Sequence, residues 1–200
     1  MIKLLPVILV GYLAGCFQTA YIVGKINRHI DIRQYGSGNA GTTNALRVMG
    51  LKLGLLTFAG DFLKSFLTVT IVLLLTKDSL SAIAAGFGVI LGHDFPVFLN
   101  FRGGKGIAST IGLAFALDYR LGLLCLVIMI VVIAVSRYVS LASLLLCISL
   151  PFGFLFWQKP SGMEMCFALW IALLGIYQHR ANVKRLLSGS ENKISFGGKK

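Results

Sequence analysis

Three polar stretches interrupt an otherwise apolar chain, and each carries residue types suited to holding an anion. The first is Tyr35-Gly36-Ser37-Gly38-Asn39-Ala40-Gly41-Thr42-Thr43-Asn44-Ala45-Leu46-Arg47. Its glycines let successive backbone N–H groups turn towards one point, and a Thr or Asn can cap the helix that follows. Thr43 and Arg47 are four apart and share one face of such a helix. Gly36 to Gly41 also satisfies G-x-G-x-x-G letter by letter, but with no β-strand pattern before it the match implies no dinucleotide fold. A flexible polar loop is the plain alternative.

The second stretch runs from Gly92-His93-Asp94-Phe95-Pro96 to Gly103-Gly104-Lys105-Gly106. Pro96 should end or bend a helix near His93, and the four small or basic residues ahead of a short apolar run make a phosphate seat with Lys105 as its point charge. The spacing is not that of a Walker A loop, and a basic loop on the positive side of a membrane explains the same charges. The third stretch is His179 to Glu191. On a continuing helix His179, Asn182, Leu186 and Leu187 fall on one side, with Arg180 and Lys184 facing elsewhere. An amphipathic helix on anionic lipid reads this way too, although a neutral His and an Asn are unusual on its apolar side. Asp61 and Lys64, three apart inside an apolar run, are either a self-satisfying pair or a wall of the site.

The elements that must position these stretches are membrane spans. Of 200 residues, 56% are hydrophobic and 13% charged, about half the charge an ordinary water-soluble domain carries, so the solvent is a bilayer. The net charge of +12 points to anionic headgroups or phosphorylated substrates as partners and not to nucleic acid, for which no binding motif is present. No two of the seven carboxylates lie within three positions, so paired-carboxylate chemistry and acidic metal motifs are unsupported. Cys16, Cys125, Cys147 and Cys166 lack metal spacing and read as buried apolar residues. Trp157 and Trp170 suit an interfacial belt. Leu13-Ala14-Gly15-Cys16 resembles the end of a lipoprotein signal, but apolar character continues to Val23, which favours a first span.

Apolar runs long enough to cross the hydrocarbon core cover residues 4–23, 53–75, 80–99, 121–135, 140–156 and 163–178. A seventh, 107–117, is about half a bilayer long and is either a re-entrant half-helix or a span that borrows its neighbours. Seven crossings gather fourteen Lys and Arg on one face and leave four on the other, which puts the N-terminus outside and the C-terminus in the cytoplasm. With no repeat or linker, residues 1–200 read as one domain: an all-α integral membrane protein of seven transmembrane helices, one short, with polar loops and a C-terminal amphipathic helix on the cytoplasmic face. Residues 197–200 look like a frayed tail.

Taken together and in order, the three stretches resemble the motifs of the bacterial membrane acyl-phosphate:glycerol-3-phosphate acyltransferase family. Ser37 to Asn44 matches Ser-Gly-Asn-x-Gly-Ala-Thr-Asn with Thr42 for Ala, Gly92 to Gly106 matches the second motif with Arg102 for a common Lys, and His179 to Glu191 matches the third with Val183 for Ile. The resemblance implies a seven-span fold in the bacterial inner membrane. It also implies acyl transfer from acyl phosphate to the 1-hydroxyl of glycerol 3-phosphate, giving lysophosphatidic acid without a cofactor or metal. By it Ser37, Thr43, Arg47, Lys105 and Ser143 hold phosphate, and His179 and Asn182 lie beside the reacting carbonyl. Gly38, Asn39, Gly41, Asn44, Gly92, His93, Gly103, Gly104, Gly106 and Glu191 complete the expected substrate contacts. A transporter or channel for a phosphorylated solute is the alternative from another class, since broken helices around an anion are also a transporter device.

Overall fold

The computed structural model describes residues 4–194. Lys3, Lys199 and Lys200 of the charge count and the tail at 197–200 lie outside the described residues. Ten α-helices follow one another: α1 (Leu4–Gly15), α2 (Thr19–Arg28), α3 (Thr42–Met49), α4 (Leu51–Thr76), α5 (Ser79–Asp94), α6 (Ile107–Leu117), α7 (Tyr119–Ser136), α8 (Val139–Gln158), α9 (Gly162–Gln178) and α10 (Arg180–Leu187). Among the described residues there is no strand. Five segments are long and apolar enough to cross a membrane: Leu4–Arg28, Leu51–Thr76, Ser79–Leu99, Tyr119–Ser136 and Val139–Gln158. Helices α6 and α9 are apolar but shorter.

The helices turn a broad apolar surface outward, with Leu9 and Leu13 of α1, Leu67 and Ile71 of α4, and Val127 and Val131 of α7 all exposed. In lipid such surface carries no penalty, and the helices associate through close packing instead of hydrophobic exclusion. The contact of α1 with α5 shows how. Gly11 and Gly15 of α1, four apart, lie against the backbone of Ala85 and Val89, while Gly88 and Gly92 of α5 lie against that of Ile8 and Tyr12. Rising numbers meet rising numbers, so the two helices run parallel.

Helix ends are closed by side chains. Asp78 caps α5, Asp118 caps α7, and Ser161 with Glu164 forms a reciprocal capping box on α9. Ser79 donates to Glu164, and Gln158 Nε2 donates to Asp118 Oδ2 at 2.6 Å, so the starts of α5, α7 and α9 and the end of α8 share one end of the bundle. The opposite end holds all three polar stretches.

Several expectations change. The first apolar run is not one helix: it breaks at residues 16–18, where Gln18 Nε2 donates to the carbonyls of Gly15, Gly92 and His93 instead of facing lipid. His179 is the hinge between α9 and α10, so the helix does not continue through it, and Leu187 is exposed while Asn182 is buried. Trp170 lies midway along α9, not at its end, and Cys166 is exposed on the same helix.

Candidate active site

The first polar loop is held by Asn44. Its Nδ2 donates to the carbonyls of Ile32, Tyr35 and Asn39 at 3.0–3.1 Å, and its Oδ1 accepts from the N–H of Ser37 at 2.9 Å. The side chain is 1% exposed and every polar position on it is taken by the loop, so Asn44 shapes the site. Gly36 and Gly38 take positive φ of 61° and 74°, which lets the chain wrap the Asn44 amide. Ser37 and Asn39 stay at the surface of this loop, where Asn39 Nδ2 donates to Ser37 Oγ at 3.2 Å.

Gly41 is the N-cap of α3, and Thr43 sits in its first turn. Arg47, one turn on, is exposed and makes no ion pair among the described residues. The second loop docks against the first: the Ala40 N–H donates to the Gly103 carbonyl at 3.2 Å, and Gly41 lies against the Cα of Gly104. Gly106, with φ of 70°, is the N-cap of α6. Two helix N-termini therefore open beside one another, each with unpaired N–H groups and the positive end of its dipole. Lys105 adds a full charge between them.

That second loop is stapled to the end of α5. The N–H groups of Gly103 and Gly104 donate to the carbonyls of Asp94 and His93 at 3.2 and 3.1 Å, and the ring of His93 lies under Gly104. A side chain at 103 would strike the His93 carbonyl, and one at 104 the imidazole. Gly92 has a different part. A side chain there would strike the Tyr12 carbonyl, so Gly92 permits helix packing.

Lys105 Nζ donates to Asn182 Oδ1, which joins the second stretch to the third. Asn182 Nδ2 in turn donates to Glu191 Oε1 at 2.7 Å, and Glu191 also accepts from Ser140 Oγ at 2.9 Å and from Arg185 Nε at 2.7 Å. Glu191 thus fixes which end of the Asn182 amide faces Lys105. Burial works against the charge of Glu191, but the bonds from Asn182, Arg185 and Ser140 outweigh it and hold the carboxyl below its usual range. Ser143, one turn along α8 from Ser140, is buried and donates to the Val139 carbonyl at 2.9 Å, which leaves its oxygen lone pairs free.

His179 Nδ1 lies 2.8 Å from the Gly175 carbonyl. A carbonyl only accepts, so Nδ1 bears the proton and Nε2 presents a lone pair. Burial, then the nearby Lys105 charge, lowers the His179 pKa to about 4, so the ring is neutral near pH 7. Burial also lowers Lys105, to about 8, with Arg185 adding to the effect. Arg180 turns away and stacks on Tyr177 at 4.3 Å.

Sequence reasoning missed Ser140 and the binding of Gln18 to two helix ends. The Ser140-x-x-Ser143 spacing on α8 was the available signal for the first. Asp61 and Lys64 form the self-satisfying pair, closing at 2.9 Å, and Lys64 also reaches His93.

Between α8 and α9 an apolar groove of about 300 Å³ begins one turn from Ser143 and His179, at Cys147 and Ile176, and extends to Leu155 and Met165. A cationic, amide-rich cluster at one end of an apolar helical bundle, with an apolar groove starting one helical turn from Ser143 and His179, defines a class: a membrane protein equipped for a phosphorylated, lipid-tailed molecule. The family model for glycerol-3-phosphate acyltransferase matches residues 5–189. The chain belongs to that family. It is 46% identical over 187 residues to the glycerol-3-phosphate acyltransferase of Thermoanaerobacter sp. (strain X514), covering 93% of each chain, and 45% identical over 195 residues to that of Alkaliphilus metalliredigens (strain QYMF), covering 97% of each. Its fold matches the crystal structure of PlsY (YgiH), an integral membrane glycerol 3-phosphate acyltransferase, in the glycerol 3-phosphate form, with a TM-score of 0.90, 35% identity and 96% of each chain covered. The lysophosphatidic acid form of PlsY gives 0.88, 34% and the same coverage.

Proposed function

We propose that this chain is a glycerol-3-phosphate 1-O-acyltransferase that takes its acyl group from acyl phosphate and releases lysophosphatidic acid and phosphate. The observation that carries the reading is the site itself, in which two helix N-termini and Lys105 come together and Lys105 bonds Asn182 on the helix that follows the wall of an apolar groove. Ser37, Thr43, Arg47, Lys105 and Ser143 bind the two phosphates, and the acyl chain lies along the α8–α9 groove. The groove favours this reading over transport of a soluble phosphorylated solute, which has no use for a slot in the hydrocarbon.

Acyl phosphate is already activated, so neither an acyl-enzyme nor a metal is required. The acceptor 1-hydroxyl attacks the carbonyl carbon, the new C–O bond forms, and the bond to the phosphate oxygen breaks. His179 Nε2 accepts a hydrogen bond from the attacking hydroxyl and aims it. A ring with pKa about 4 is a poor place to leave a proton, whereas the departing phosphate, which gains negative charge as its bond to the carbonyl carbon breaks, is a better one. In this reading His179 is not a donor to the developing oxyanion, because its one N–H is already committed to Gly175. Asn182 and Lys105 hold the phosphate-bearing ends together against their repulsion.

The reading includes seven crossings in the bacterial inner membrane, the N-terminus outside, the C-terminus and all three motifs on the cytoplasmic side, and anionic lipids around the basic rim. Helix α6 supports the count: it begins at Gly106 in the site and ends at Asp118, which meets Gln158 at the far end of α8. Its 11 residues reach only about 16 Å, and the polar loop supplies the remainder of the path. The test is a transfer assay with purified protein, acyl phosphate and glycerol 3-phosphate, without thioester or divalent metal. Lysophosphatidic acid should form. Preference for a thioester, or uptake of glycerol 3-phosphate into proteoliposomes without transfer, would overturn the reading.

A further inference from the structure

Lys64 stands on α4, inside the bundle, with its side chain almost wholly enclosed. Four acceptors surround Nζ: the Phe17 carbonyl at 2.7 Å, His93 Nδ1 at 2.8 Å, Asp61 Oδ1 at 2.9 Å and the Gly15 carbonyl at 3.2 Å. Two of these exist because the first span breaks at residues 16–18, which frees helix-end carbonyls that the bilayer core cannot hydrate. Thr19 Oγ1 donates to Asp61 Oδ1 at 3.0 Å, so the carboxylate is held in place as well.

From this geometry we infer that Lys64 is a positioning residue of the active site: it fixes the His93 imidazole in its Nε2–H form and so holds a hydrogen-bond donor under the Gly103-Gly104-Lys105 loop for the phosphate-bearing substrate. The inference rests on the reading of that loop as the phosphate site. An ammonium group has three donors and no acceptor, so His93 Nδ1 must be the acceptor and the ring proton lies on Nε2. The ring cannot slide away, since the His93 carbonyl is bound by Gln18 Nε2 at 3.0 Å and by the Gly104 N–H at 3.1 Å. Its Nε2 edge lies against Gly104 and has no hydrogen-bond partner among the described residues. That N–H is an open donor at the loop, and a phosphate oxygen there would accept from it.

The two histidines of the site then carry opposite tautomers, His93 presenting a donor and His179 an acceptor. That contrast is directly measurable. Protein with isotope-labelled histidine in bilayers has three histidines to assign, His29, His93 and His179, and His93→Gln identifies the second. The wild-type ring of His93 should show Nε2–H and that of His179 Nδ1–H, and the His93 Nε2 signal should shift when glycerol 3-phosphate is added. In Lys64→Met the partner left for His93 Nδ1 among the described residues is Asp61 Oδ1, 3.7 Å away, so the proton should move to Nδ1 and KM for glycerol 3-phosphate should rise about tenfold. Lys64→Arg, which keeps the donors, should keep Nε2–H. A wild-type His93 protonated on Nδ1, a signal indifferent to glycerol 3-phosphate, or an unchanged tautomer in Lys64→Met would each overturn the inference. The wild-type spectrum decides even where the Met variant fails to fold. Loss of acyl transfer in the separate enzyme assay, with the tautomers and the shift as expected, would instead defeat the assigned reaction.

Discussion

Lys105 offers a sharp test because its charge is both required and under pressure. Its ammonium is half-buried at the mouth of α6, and burial, reinforced by Arg185, brings its pKa from 10.5 to about 8. The charged form exists below that value and is lost above it. Binding of a phosphate dianion needs the charge, so kcat/KM for glycerol 3-phosphate should hold a plateau to about pH 7.5 and then fall. One unit above the pKa about a tenth of the free enzyme is charged, which sets an expected loss of about tenfold at about pH 9. The substrate phosphate completes its own ionisation near 6 and adds no limb in that range. Once bound, the dianion raises the lysine pKa again, so kcat should stay level to higher pH than kcat/KM. Lys105→Arg keeps a charge that does not titrate there, and it should abolish the limb while lowering the plateau, because a planar guanidinium does not replace a point donor to Asn182. Lys105→Ala should lose roughly ten- to a hundredfold at all pH values. Initial rates of lysophosphatidic acid formation at subsaturating glycerol 3-phosphate measure all of this. A wild-type profile flat through pH 9, or a limb that survives in Lys105→Arg, would refute the argument.

His179→Gln, which retains an acceptor, should fall between wild type and His179→Ala, and neither should gain or lose a limb near pH 6.5, because the wild-type ring is already neutral above about pH 5. A limb near 6.5 that vanishes in the Gln variant would make His179 the base instead. Arg47→Ala should cost about ten- to a hundredfold in kcat/KM, whereas Arg180→Ala, which only unstacks Tyr177, should be mild; comparable losses would remove Arg47 from the phosphate site. Gly92→Ala should lower the melting temperature by pushing α1 from α5, at about 1–3 kcal/mol, and leave KM in the surviving protein unchanged; a raised KM in a stable protein would return Gly92 to the substrate. Single Cys probes at Asn39, Arg102 and Ser190 should label only after the inner leaflet is breached, and labelling in intact cells would reverse the topology.

What the sequence made legible follows from which interactions are local. Hydropathy located the long helices because their outward faces meet lipid, and Pro96 marked the end of α5 to within two residues. The break at residues 16–18 was hidden, since Cys16 and Phe17 read as apolar and its causes lie on α4 and α5. Gly92 drew notice through its motif, whereas its packing part was legible in another pattern: Gly11 with Gly15 and Gly88 with Gly92, each four apart, carried the signature of close helix packing. Asn44 and Glu191 were rightly singled out by type, but only the folded loops show that protein groups occupy their polar atoms. The deeper regularity concerns charge. Near the site Asp31 is paired with Arg33, Asp61 with Lys64 and Glu191 with Arg185. Arg47, Arg102 and Lys184 have no carboxylate partner among the described residues, and Lys105 has only a neutral amide. Composition announced a surplus of cations, but the pairing decides where the surplus falls. With Asp31, Asp61 and Glu191 engaged by cations, and Asp94 buried beside Gly106 without an ion-pair partner among the described residues, Lys105 is left with a neutral amide at the point where two anionic substrates have to be brought together.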